Sequence, residues 1–188
     1  MENAPFDLKL LGPLYPLVGK WKGIKGRNVA PDPDRGIEDG MYTEELSFIP
    51  IKTVKNHEQT LYGLRYQTVA FENGDEAFHE EVGYWLWEPQ AQEVYRCFIV
   101  PRGITVLAGG KAAADSKKFN LEAKLGDQRF GISSIPFLDE QFKTIRYTLE
   151  VEVLNTNSFS YKEITYMQMP GRKELFEHLD QNIMTKMT

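Results

Sequence analysis

Three histidines, one cysteine and two pairs of adjacent glutamates are the side chains whose types could carry chemistry in this chain. His79 opens the run FHEEVGYWLWEP, where a period of two puts it on one face with Glu81, Gly83, Trp85 and Trp87. A histidine heading a strand face that carries two indoles suits a flat aromatic ligand, and a buried structural histidine has the same pattern. His178 lies in residues 172–187, where Leu175, Leu179, Ile183 and Met187 recur every four residues, as on an amphipathic helix. At about 100° per residue it falls roughly 60° to one side of Leu175. A helix docked on a barrel mouth would hold that imidazole near the interior, whereas a solvated flank would leave it in water. Imidazole is a natural ligand for iron or zinc. One histidine holds a bare ion poorly, but it suffices as the axial ligand of a haem, whose porphyrin supplies the other nitrogens. His57, within Lys55-Asn56-His57-Glu58, reads as a loop residue.

The other reactive types read as structural. Cys97 sits inside VYRCFIV on the face of Tyr95 and Ile99, the setting of a packed thiol rather than a nucleophile. Neighbours in a strand point to opposite faces, so neither Glu44-Glu45 nor Glu80-Glu81 forms a dyad within its own strand. Both pairs read as solvated charge. No phosphate-binding glycine loop, no dinucleotide-binding glycine turn and no His-Glu-x-x-His pair is present.

The elements that must position these residues are mainly strands. Residues 117–125 alternate, with Phe119, Leu121, Ala123 and Leu125 on one face, and residues 143–153 do the same with Ile145, Tyr147, Leu149, Val151 and Val153. Further strands are expected over 42–49, 60–71, 78–87, 93–100, 104–108, 128–133 and 159–169. Residues 72–75, 89–92, 109–110 and 155–157 read as the tight links between them. Such a meander removes its edges by closing on itself. The fold class is therefore all-β, a single antiparallel up-and-down barrel of about ten strands over residues 1–188. It carries a short N-terminal helix over 6–18, broken by Pro13 and Pro16, and a C-terminal helix over 172–187. Residues 26–40, rich in Gly, Pro and Asp, read as a mobile loop at one mouth.

Composition narrows the partners. The 188 residues are 41% hydrophobic, enough for a core, and carry 22 basic against 27 acidic side chains, a net charge of −5. A nucleic-acid surface is not expected from that balance. A single cysteine excludes an internal disulfide framework and a multi-thiolate zinc site. No apolar run is long enough for a membrane helix, and the first residues carry acids rather than a basic leader, so a cytoplasmic protein is expected.

Five motifs in order resemble the nitrobindins, haem-binding β-barrels shaped like fatty-acid-binding proteins. Gly19-Lys20-Trp21-Lys22-Gly23 is similar to the family's glycine-tryptophan signature, and Tyr42-Thr43-Glu44-Glu45-Leu46-Ser47-Phe48 to its next strand. Phe78-His79-Glu80-Glu81-Val82-Gly83-Tyr84 resembles its His-x-Glu-x-Gly segment. Pro101-Arg102-Gly103 through Gly109-Gly110 is similar to the hairpin that follows, and Glu177-His178-Leu179 to the terminal His-Leu motif. The resemblance implies a b-type haem with His178 as proximal ligand and metal-binding residue. It places His79 beside the haem as the catalytic candidate, Trp21 at the signature, and a basic residue against a propionate. Lys143 is favoured for that role over Arg146, because period two puts Lys143 inward. Binding of nitric oxide and isomerisation of peroxynitrite to nitrate are the implied chemistry.

A second reading rests on the residues shared with lipocalins. It is a non-catalytic carrier of a fatty acid or another apolar molecule, with Trp85 and Trp87 lining the cavity. A third has the loop over 26–40 dock a protein partner. Under the leading reading the partner is a small molecule (haem, nitric oxide or peroxynitrite), with no nucleic acid and no membrane, in a monomer or homodimer.

Overall fold

The computed structural model describes residues 7–72 and 76–188, so residues 73–75 of the expected link at 72–75 lie outside the description. A 3₁₀ segment, Leu8–Leu17, opens the fold and is broken at Gly12, whose φ of 55° only glycine adopts without strain. The strands follow as β1 (Gly19–Ala30), β2 (Glu38–Pro50), β3 (Val54–Asn56), β4 (Gln59–Glu72), β5 (Glu76–Glu88) and β6 (Glu93–Val100). After them come β7 (Ile104–Lys111), β8 (Lys118–Leu125), β9 (Gly131–Ser134), the helix α1 (Pro136–Gln141), β10 (Lys143–Asn155), β11 (Ser158–Gln168) and β12 (Phe176–Lys186).

Neighbouring strands pair antiparallel around the ring, and the β2–β4 pairing closes it; β3 hangs on β4 outside the ring. The short β9 departs from a pure meander by lying between β7 and β8, parallel to β8. The expected alternation holds where the core is made: Phe119, Leu121 and Ala123 of β8 and Tyr147, Leu149 and Val151 of β10 are buried. At one end the 3₁₀ segment forms the floor, with Leu11, Leu14 and Leu17 fully buried and Gly12 packed against the Trp87 indole.

Four expectations are corrected. The C-terminal helix is strand β12, paired with both β1 and β11. A spacing of four is even, so the same four apolar residues also share one face of a strand. That face is the outer one, where Leu175, Ile183 and Met187 are exposed, while Phe176, Asn182 and Met184 are buried inside. Much of 26–40 is not a loop. Gly26 through Ala30 pair with residues 38–42 of β2, and Gly26 lies against the Tyr42 ring, where a side chain has no room. Gly109 and Gly110 are within β7 rather than in a turn, and they allow the Phe130 ring and the Asn120 carbonyl to approach closely. Finally, a register shift between Thr144 and Arg146 of β10 reverses the inward face below it, so Thr144 is buried and Lys143 is not inward.

Candidate functional site

Strand register brings the two chemically interesting histidines to one end of the barrel. His79 pairs with Ala70 near the end of β4, and His178 pairs with Thr165 near the end of β11. The strand connections over 31–37, 101–103, 135–142 and 169–175 gather at this mouth. They are tied together: Arg172 donates to the Arg35 carbonyl at 3.1 Å, Arg35 bonds Gln141, and its guanidinium lies over the Phe142 ring. Below the mouth is a cavity of about 60 Å³. Its wall includes Phe48, Trp85, Leu149, Val151, Phe159 and His79. Among the described residues the indole Nε1 of Trp85 is a buried nitrogen without a hydrogen-bond partner.

His178 points inward from β12, as the even residues of that strand do. Its Nε2 lies 3.2 Å from the Asp180 carboxylate and 3.3 Å from the Asn28 amide, which also donates to Asp180 at 2.8 Å. Burial, followed by the positive charges of His79 and Arg102, lowers the His178 pKa to about 4. Its imidazole is therefore neutral at physiological pH, the form that ligates a metal. Asp180 moves the other way, to about 7, because burial and the nearby Glu163 outweigh the attraction of His79.

His79 sits on a different support. Its Nε2 lies 3.3 Å from Oε1 of Glu81, which is buried two residues along the same face of β5. The other Glu81 oxygen accepts from Arg96 at 2.5 Å and from the Tyr66 hydroxyl at 3.0 Å. Arg96, also buried, donates to Glu163 at 2.5 Å and to the Tyr147 hydroxyl, with its guanidinium 4.2 Å from the Phe98 ring centre. Burial alone would push Glu81 up, but the charge of Arg96 and the hydrogen bonds from His79 and Tyr66 hold it at about 2. For His79 burial works against protonation. The hydrogen bond and charge of Glu81, helped by Asp180 and Glu163, prevail and raise its pKa above 6.5.

The chain matches the THAP4-like, heme-binding beta-barrel domain over residues 10–186. It belongs to that family. The resemblance to the nitrobindins therefore holds, and haem is the cofactor of this domain. The crystal structure of Rv2717c from M. tuberculosis superposes with a TM-score of 0.66 at 21% identity, over all of both chains, and shares the fold. The S-type phycobiliprotein lyase CPES from Guillardia theta aligns with a TM-score of 0.47 at 7% identity, covering 98% of this chain and 99% of its own. No curated protein matches the chain in sequence.

The donor set of this THAP4-like barrel fits a haem at the mouth. The cavity lining is mainly apolar and aromatic and includes His79 and Asp180, and His178, outside that lining, lies at the same end of the barrel against Asn28 and Asp180. Among the described residues no cluster of three or more His, Cys, Asp or Glu could hold a bare ion. The enclosed 60 Å³ is well below the roughly 300 Å³ of small ligand pockets. The space enclosed below the mouth is thus small for a porphyrin. A metal at Nε2 of His178 has to displace Asn28 and Asp180.

The remaining candidates are placed elsewhere. Trp21 is buried near the floor, donates to the Leu17 carbonyl at 2.7 Å and packs edge-on to Phe159, away from the cavity lining. Lys143 is at the mouth end, partly exposed, and 3.5 Å from Asp139. Arg146 faces outward onto Glu122. Cys97 is half-buried, and burial raises its thiol pKa. The reading of both glutamate pairs as solvated is corrected, since Glu44 and Glu81 are buried inside while Glu45 is exposed. Sequence reasoning also passed over Arg96, although it shares the period-two face of the buried Val94, Phe98 and Val100. A charge in an otherwise apolar inward row was the available signal.

Proposed function

We propose that this domain binds one haem at the mouth, with His178 as the axial ligand, and that the loaded protein binds nitric oxide and isomerises peroxynitrite to nitrate. The observation that carries the reading is the place of His178, on the inward row of β12 at the rim of a barrel that belongs to a haem-binding family, and burial, which lowers its pKa, supports it. When bound, ferric haem supplies a Lewis-acidic iron towards both ligands. His79, held by Glu81 through Nε2, leaves its second ring nitrogen to the same region, a hydrogen-bond donor when the ring is protonated. Phe78, Tyr42 and the apolar wall below limit water at that point. Lys143 can serve a propionate, since its exposed pairing with Asp139 is of a kind worth at most about 1 kcal/mol.

Fatty-acid carriage is disfavoured by the same geometry. Among the described residues the buried cation inside the barrel is Arg96, already paired with Glu81 and Glu163, so a fatty carboxylate entering there meets an occupied guanidinium and two carboxylates. The test is the decay of peroxynitrite in the presence of hemin-loaded protein, with nitrate measured as product. Faster decay with nitrate as the dominant product, both lost in His178→Ala, is expected. Decay no faster than with free hemin at the same concentration refutes the catalytic part.

A further inference from the structure

We propose that Glu81, clamped from beneath by Arg96, is the positioning residue that fixes the His79 ring by its Nε2, so that Nδ1 is left towards the mouth, where it donates a hydrogen bond in the imidazolium form and accepts one in the neutral form. The proposal rests on the reading that a ligand sits at the mouth. One Glu81 oxygen meets His79 Nε2 at 3.3 Å, and the other is taken by Arg96 at 2.5 Å and Tyr66 at 3.0 Å. With both oxygens engaged, the carboxylate has no free rotation. Arg96 is immobilised in turn by Glu163, by Tyr147, and by Nε donation to Tyr66 at 3.3 Å. The chain of contacts runs from a rigid, buried guanidinium up to a half-buried imidazole at the rim.

Because Nε2 is spent on Glu81, Nδ1 is the ring nitrogen left for a ligand. Buried ion pairs are often no more stabilising than apolar side chains of equal volume. This three-residue cluster is better explained by what it orients. The charged and titratable groups around His79 are Glu81 on its own strand, Arg96 on β6, Glu163 on β11, and His178 and Asp180 on β12. Arg102, in the turn after β6, reaches the neighbouring Phe78 carbonyl at 3.4 Å. Of these, Glu81 is the carboxylate that His79 touches.

The test uses the hemin-free protein, so it succeeds or fails independently of haem binding. Ring-nitrogen NMR of ¹⁵N-histidine-labelled protein is recorded from pH 5 to 9, with His79 assigned through His79→Asn. In the wild type His79 titrates above 6.5, and its neutral form carries the proton on Nε2. In Glu81→Gln the burial remains but the charge is gone, and the midpoint falls by about one to three pH units. Glu81→Asp restores part of that shift. An unchanged His79 midpoint in folded Glu81→Gln overturns the proposal. So does a wild-type neutral form protonated on Nδ1, a result that does not depend on the Glu81 variants.

Discussion

Arg96→Met leaves Glu81 and Glu163 inside the barrel without the cation that touches them both. Glu81 is held at about 2 against an ordinary 4.5. At about 1.4 kcal/mol per pH unit, the ionised carboxylate is favoured in the folded state by roughly 3 kcal/mol. Removing one partner of a buried pair typically costs about 3–5 kcal/mol, because a charge is left unpaired. That loss is expected at pH 7 from urea unfolding followed by tryptophan fluorescence. The pH dependence gives the sharper check. In the wild type a depressed pKa contributes stability above pH 4.5 that disappears as the pH falls towards 2. In the variant, burial without Arg96 raises the same pKa, so the folded state is penalised as the pH rises. The gap between the two proteins should therefore shrink from pH 7 to pH 4. Adding Glu81→Gln to the variant should recover about 1–3 kcal/mol at pH 7. A penalty that is equal at both pH values, or a double variant that loses the full sum of the single losses, refutes the reasoning.

Other outcomes follow from single contacts. Burial pushes Glu44 above its ordinary 4.5 despite hydrogen bonds from Tyr161, Thr68 and Asn182, so it favours folding below that pH and loses the benefit as pH rises. Glu44→Gln should gain stability relative to wild type between pH 4 and pH 8 in thermal melts, and a gain that runs the other way contradicts the assignment. Gly23→Val has no room beside the Asn182 side chain, which donates to Glu44, and should cost about 1–3 kcal/mol in urea unfolding; a neutral result means the wall there is loose. Gly12→Ala meets both a φ of +55° and the Trp87 ring, and a similar cost is expected by the same assay, with no loss showing that the floor is not tightly packed.

The barrel was legible because most strands have one wet and one dry face. Phe119, Leu121 and Ala123 announce β8 directly, and the buried Trp85 and Trp87 fall on the face that period two gave them. β12 was misread because its interior face carries His178, Asp180 and Asn182, while several of its apolar residues look outward to solvent. A strand that turns polar groups into a barrel inverts the usual pattern, and an even spacing cannot separate a helix stripe from a strand face. The half of 26–40 that is strand lacked a signal for a related reason. Its Gly26 makes room for Tyr42, and its Asn28 serves His178 and Asp180, so neither position needed an apolar side chain.

His79 and His178 were singled out by residue type, and the resemblance to the nitrobindins implied that both lie beside one haem; strand register brings them to the same end of the barrel. Their supports were not found. Arg96, Glu163 and Asp180 come from separate strands and meet only when the sheet closes, and Lys143 escaped its expected face because one extra residue in β10 shifts the register. Long-range pairing of this kind leaves no local period to read.

The most direct test of the account is a hemin titration of the wild type and His178→Ala, followed in the Soret region and paired with thermal melts. Saturation at one haem per wild-type chain is expected, with loss of that specific band in His178→Ala. The variant should remain folded within about 1 kcal/mol of the wild type, since the residue is only half-buried at the rim. Equal stoichiometry and affinity in the two proteins, or no specific Soret change in either, contradicts a haem held by His178.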